Sequence, residues 1–213
     1  MRLEFAALDP KSCYKLLIAT VLPRPIAWVT TVSGEGVVNA APYSFFNVFG
    51  EKPALIVLGL QHRADGSPKD TTRNIRASGE FVVNILTPDL AGEMVETAAL
   101  YPADRSEPEA VGLALAPSLH VAPPRLAAAP VAFECRRLTG LSFSGDRELC
   151  IGEALAIEAR DGLIDPETLH VDWQGAFPLA RLFGPRYGRV EEIAPLTIPE
   201  PRAAGPAVRK AAE

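Results

Sequence analysis

No apolar run in this chain approaches the roughly 20 residues needed to cross a bilayer. Its start, MRLEFAALDPKS, places acids where a secretory leader would have an uninterrupted apolar core. Neither a membrane span nor export is expected, and the chain reads as cytoplasmic. Cysteine is scarce: Cys13, Cys135 and Cys150 are odd in number, widely spaced, and form no CxxC or Cys/His pair. That excludes a disulfide framework and a zinc knot, and leaves small buried hydrophobes in a reducing compartment. Positive charge is not in excess either. With 21 Lys and Arg against 26 Asp and Glu, the formal charge is -5 and no basic cluster occurs. Nucleic-acid binding, which rests on neutralising phosphates, is therefore set aside.

The chain also lacks GxGxxG, GxxxxGK[ST], GxSxG and HExxH, the entry signals of dinucleotide folds, P-loops, serine hydrolases and zincins. His62, His120 and His170 are isolated, and the acids are scattered through loops and helix starts. Neither a metal set nor a paired-carboxylate centre is recognisable. No catalytic side chain is assigned, and any chemistry is expected to be carried by a cofactor.

What is present is the balance of one globular domain, 48% hydrophobic and 22% charged over 213 residues. Residues 9–22 put Tyr14, Leu17, Ile18 and Val21 on one helical face before Pro23. RPIAWVTTVS and VVNAAPYSFFNVFG flank the turn signal GEG and read as a hairpin from Arg24 to Phe49. PALIVLGLQ, EFVVNILT, PVAFECRRL and ELCIGEALAIEAR read as further strands, and PDLAGEMVETAALY as a helix. PADRSEPEAVG reads as a polar loop, and TGLSFSGDR as the turn-rich link between the last two strands. A Pro- and Ala-rich flexible tail is expected at 195–213, after a domain spanning 1–194. Hairpin-type connections argue for a mainly β fold, an antiparallel barrel with helices on its outside.

Two stretches stand out. In GSPKDTTRNI, Ser67-Pro68-Lys69-Asp70 has the form of a capping box for a helix over 68–77. Lys69 would then sit at the second helical position, where it opposes the macrodipole by a few tenths of a kcal/mol. Either it projects into water, or it joins the free amides and the hydroxyl of Thr71 or Thr72 in a phosphate-sized anion site, with Asn74 one turn below Thr71. In NAAPYSFFN, Asn39, Ser44 and Asn47 interrupt an apolar strand and Pro42 removes a ladder hydrogen bond. This is either an edge strand over an aromatic cluster or a polar rim for a planar heterocycle.

Taken together, PRPIAWVTT, NAAPYSFFN, GSPKDTTRNI, EFVVNI, PVAFEC and IGEALAI resemble, in order, the flavin reductase-like family with the FMN-binding split barrel, which includes the flavoredoxins. The resemblance covers about residues 16–187. It implies a Greek-key split β-barrel and a homodimer with one FMN per subunit near the interface. It also implies that Arg24, Pro25 and the strand to Thr31 line the flavin, with Trp28, Val29 and Thr30 beside the isoalloxazine. Asn39, Ala41, Pro42, Ser44 and Asn47 would line its other side. Lys69, Asp70, Thr71 and Asn74 would hold the phosphate. One departure is Phe183 in Arg181-Leu182-Phe183-Gly184, where the family pattern has a second Gly. Its bulk would narrow the substrate side or pack at an interface.

The activity implied is an NAD(P)H-dependent flavin oxidoreductase, with hydride passing from nicotinamide to flavin N5 and no side-chain acid or base required. The alternatives are a flavodoxin-like electron carrier with tightly bound FMN, suited by its acidity to a basic redox-protein partner, or a non-catalytic FMN-binding protein. A monooxygenase partner is compatible with the first.

Overall fold

The computed structural model describes residues 1–200, and most of the tail read at 195–213 lies outside them. Helix α1 (Pro10–Thr20) opens the chain, with the Asp9 carboxylate accepting from the amides of Lys11 and Ser12 and Pro10 in the first turn. Then come β1 (Ala27–Val32), β2 (Val38–Tyr43), β3 (Phe46–Glu51), β4 (Ala54–Gln61), α2 (Asp70–Ser78) and β5 (Glu80–Ile85). They are followed by α3 (Ala91–Glu96), α4 (Glu107–Val111), β6 (Leu115–Ala116) and β7 (Arg125–Leu126). The long hairpin β8 (Val131–Ser144) and β9 (Arg147–Ala159) precedes the short pair β10 (Ala180–Arg181) and β11 (Tyr187–Gly188).

One antiparallel sheet of seven strands runs in the order β2-β1-β5-β8-β9-β4-β3. Its two outermost strands are consecutive in the chain, joined only by Ser44 and Phe45. The Gly59 amide of β4 also donates to the Phe45 carbonyl at 2.6 Å. The sheet therefore curls into a barrel sealed by this bend. A Cβ on Gly59 would stand 2.8 Å from that of Phe45, so the close approach demands glycine.

Alternation along β1 divides the molecule. Ala27 and Val29 point inward with Ile56, Leu58, Phe81 and Val83, while Trp28 points outward with Ile26, Leu86, Met94 and Leu179. Helix α2 plugs the barrel through Ile75, and Gly79, at φ 75°, ends it in the left-handed conformation. Cys135 and Cys150 lie in the barrel core, where burial pushes both thiols up, Cys150 to about 12. They behave as small apolar side chains.

Four readings change. The stretch read as one strand over 37–50 is two: β2 pairs with β1, but β3 leaves at the Ser44–Phe45 bend to pair with β4. The link read as a turn between the last strands is mostly strand, the turn shrinking to Gly145-Asp146. The loop read over 102–112 contains α4, whose N-cap Ser106 hydroxyl accepts from the Glu109 amide at 3.4 Å.

The fourth concerns the capping box at 67–70, which does not form. Ser67 is committed to Asp65, giving its hydroxyl (2.6 Å) and amide (2.9 Å) to Asp65 Oδ1 in a turn through Gly66. Asp70 accepts from Arg63 at 3.0 Å and from Arg73. Helix α2 begins at Asp70, and Lys69 is its N-cap with extended backbone and no capping side-chain bond.

Candidate functional site

A cleft of about 870 Å³ opens beside the barrel between the start of α2, the Tyr43–Phe46 bend, the C-terminal side of α3 and β9. That volume is in the range of a cofactor-sized ligand. Asn39, Ala41, Pro42, Ser44, Lys69, Asp70 and Thr71, from the two stretches singled out in the sequence, all line it.

The α2 wall is tightly organised. Asn39 Oδ1 accepts from Thr71 at 2.8 Å and from Thr31 at 3.5 Å, and Asn74 Nδ2 donates to Thr31 Oγ1 at 3.0 Å. Deeper in, Glu107 Oε2 accepts from the Ala40 amide at 3.1 Å, and the carboxylate also accepts from Asn39. Burial raises the Glu107 pKa above the usual carboxylate range. Burial pushes the Tyr43 phenol up to about 12, so it stays neutral at the cleft wall. The cleft wall at Thr71 is thus tied to Asn39, whose neighbour Ala40 is held by buried Glu107.

Cations outnumber anions at the α2 tip. Arg63 and Arg73 flank the single carboxylate of Asp70, and Lys69 makes no ion pair among the described residues. The first intrahelical bond runs from the Arg73 amide to the Lys69 carbonyl. The amides of residues 70–72, ahead of it, have no intrahelical acceptor. Those amides, a free ammonium and the helix dipole fit an oxyanion. The Thr71 hydroxyl and the Asn74 amide are already engaged within the protein, so backbone and Lys69 supply the donors.

The remaining predicted residues lie outside the cleft. Trp28 is 0% exposed on the outer face of β1 and donates from Nε1 to Thr97 Oγ1 at 3.0 Å. Val29 belongs to the barrel core, and Thr30 donates to the Pro124 carbonyl at 2.6 Å. Arg24 is buried and caps α1, giving its guanidinium to the carbonyls of Ile18 (2.6 Å) and Leu182 (2.8 Å). Pro25 and Asn47 are exposed, while Thr31 and Asn74 sit behind Asn39. Phe183, under the Arg186 guanidinium at 5.3 Å, faces solvent, whereas its neighbours Arg181 and Tyr187 line the cleft.

Sequence reasoning missed Tyr14, Phe45, Arg63, Thr97–Tyr101, Glu107 and Arg147, all of which line the cleft. Only Glu107 had a local signal: SEPE is a capping-box pattern followed by Gly112. The others are assembled by barrel closure.

The model of the flavin reductase-like domain matches residues 19–180. An uncharacterized protein of Deinococcus radiodurans is 40% identical over 186 residues, 85% of this chain and 82% of that protein. Two solved structures share the fold over nearly their whole length. The 2-nitrobenzoate 2-nitroreductase NbaA of Pseudomonas fluorescens has TM-score 0.85 and 39% identity, over 94% of this chain and 97% of its own. Nitrilotriacetate monooxygenase component B of Bacillus cereus has TM-score 0.86 and 33% identity, over 92% and 98%.

Proposed function

Because this chain belongs to the flavin reductase-like family, we propose that it is an FMN-dependent oxidoreductase reduced by NAD(P)H. FMN would lie in the cleft, its phosphate at the tip of α2. The observation that carries this reading is Lys69: an ammonium with no carboxylate partner among the described residues, on the N-cap of a helix whose first amides have no intrahelical acceptor. When bound, FMN supplies hydride acceptance and the onward transfer of electrons. The protein's part is positional. Lys69 and the α2 amides hold the charged tail. Asn39, fixed from behind by Glu107, holds Thr71 in place, and the neutral Tyr43 phenol offers its hydrogen-bonding edge at the cleft wall. Asp70, neutralised by Arg63 and Arg73, does not repel a phosphate at close range.

The relatives support an onward acceptor. One is named as a nitroreductase and another as a component of a monooxygenase, so reduced flavin would serve a small oxidised substrate or an oxygenase partner. A second copy of the chain is the expected neighbour. Tyr14 and Leu17 of α1 and Val21 just after it are exposed, as are Val48 and Phe49 of β3, and no residue of α1 is buried. Such an apolar surface is more than a monomer needs to leave open.

The test is direct. Purified protein should be yellow or take up FMN, and rapid mixing with NADH or NADPH should bleach the flavin within seconds. A flavin that neither nucleotide reduces would replace this reading with the electron-carrier one. Light scattering should give the mass of a dimer.

A further inference from the structure

Three arginines line the cleft, and they differ in what their donors already do. Arg63 gives its guanidinium to the Pro68 carbonyl and Asp70, and Arg181, stacked 4.4 Å over Tyr187, donates to the Gly184 carbonyl at 2.6 Å. Arg147, the first residue of β9, has neither an ion pair nor a side-chain hydrogen bond among the described residues. It is nevertheless held. Its guanidinium carbon lies 4.7 Å from the centre of the Phe45 ring and 5.9 Å from that of Tyr14. Phe45 in turn is fixed by its close contact with Gly59. Cation–π contact of this kind holds the guanidinium beside the Phe45 ring, with Tyr14 at the edge of range, without using its N–H groups.

A planar fork with free donors, flanked by aromatic rings in a concave site, matches a carboxylate carried on a flat body: the fork takes both oxygens and the rings take the face. We propose that Arg147 is the recognition point for the carboxylate of a small planar organic acid, admitted to the cleft alongside the flavin. This assignment rests on the flavin reading above for the acid's role as acceptor or effector, and on the geometry of Arg147 alone for its binding. A phosphate of a nucleotide is the competing oxyanion. The two flat rings beside the fork favour the acid.

The experiment uses FMN-loaded protein titrated with benzoate, with its uncharged analogue benzamide, and with inorganic phosphate, read by calorimetry and by the flavin absorbance band. Wild type should bind benzoate about tenfold or more tighter than benzamide, as a charge-assisted two-point contact requires. In Arg147→Met, which keeps the stem over Phe45, the two affinities should converge. Arg147→Lys, with charge but no fork, should fall between them, and FMN content should be unchanged in both variants. Equal affinities in wild type, a preference that survives in Arg147→Met, phosphate competing as well as benzoate, or loss of FMN from Arg147→Met would each overturn the assignment. Should the protein take up no FMN at all, the flavin reading alone fails. Calorimetry on that protein still decides the assignment, a benzoate preference that depends on Arg147 supporting it and its absence overturning it.

Discussion

The two walls of the cleft are built on opposite principles. On the α2 wall, Asn39, Thr71, Thr31 and Asn74 bond mainly to one another, and Arg63 and Asp70 to a close neighbour. On the other wall, Arg147 lies against the Phe45 ring near Tyr14, with no ion pair or side-chain hydrogen bond among the described residues. A polar residue in a cleft is therefore not in itself a ligand contact. Where its partners are protein it belongs to the fold, and its loss is felt as stability. Where its partners are missing, its loss is felt as binding. Lys69 is the exception on the α2 wall, since it sits among engaged groups and itself makes no ion pair or capping bond among the described residues.

Substitutions that separate stability from binding sharpen this contrast. The largest effect is expected for Asn39→Ala, which strips the acceptor from Thr71 and Thr31 and a donor from Glu107. Buried groups left unpaired cost roughly 1–3 kcal/mol apiece, and partial relaxation should bring the total to about 3 kcal/mol in urea unfolding. A loss under about 1 kcal/mol would mean that the network contributes little to the fold. Lys69→Ala comes next and should act on the other side of the divide. FMN affinity should weaken about tenfold, or about 1.4 kcal/mol, with the unfolding midpoint of the flavin-free protein unchanged. Unaltered FMN retention on dialysis would remove the phosphate from this helix tip.

The smallest effect concerns Glu107. Burial raises its folded pKa, so between the unfolded value of about 4.3 and the raised one the native state binds more protons than the unfolded state. Stability contributed by the protonated form is present below that window and is lost as pH rises through it. Glu107→Gln should flatten this decline, by less than about 1 kcal/mol across the window. Parallel stability-against-pH curves for wild type and variant would contradict the assignment.

Much of the architecture was legible because β-branched and aromatic runs bounded by Gly and Pro are local signals: β1, β4, β5, β8 and β9 fall where those runs lie. The cleft was legible in part for the same reason, as Asn39, Ser44 and Lys69 break the apolar pattern of their own segments. Two helix starts show the limit. The same four-residue pattern occurs at Ser67–Asp70 and Ser106–Glu109, and only the second forms a cap. At the first, Asp65 captures Ser67 from two residues back, while Arg63 and Arg73 capture Asp70. A pattern states what could bond and not what competes for it. Trp28 does not line the cleft for a related reason. Period-two alternation fixes that Trp28 and Val29 face opposite sides, but which side holds the cleft depends on where α3 packs.

The seam at Ser44–Phe45 carries a consequence for anyone who would redesign this protein. Residues that close the sheet also form a face of the chamber, so a side chain placed at Gly59 to reshape that face would collide with Phe45 at the bend that carries the closing hydrogen bond. The turn after α3 offers a freer place to reshape the chamber, since Ala98–Tyr101 line it away from the weld.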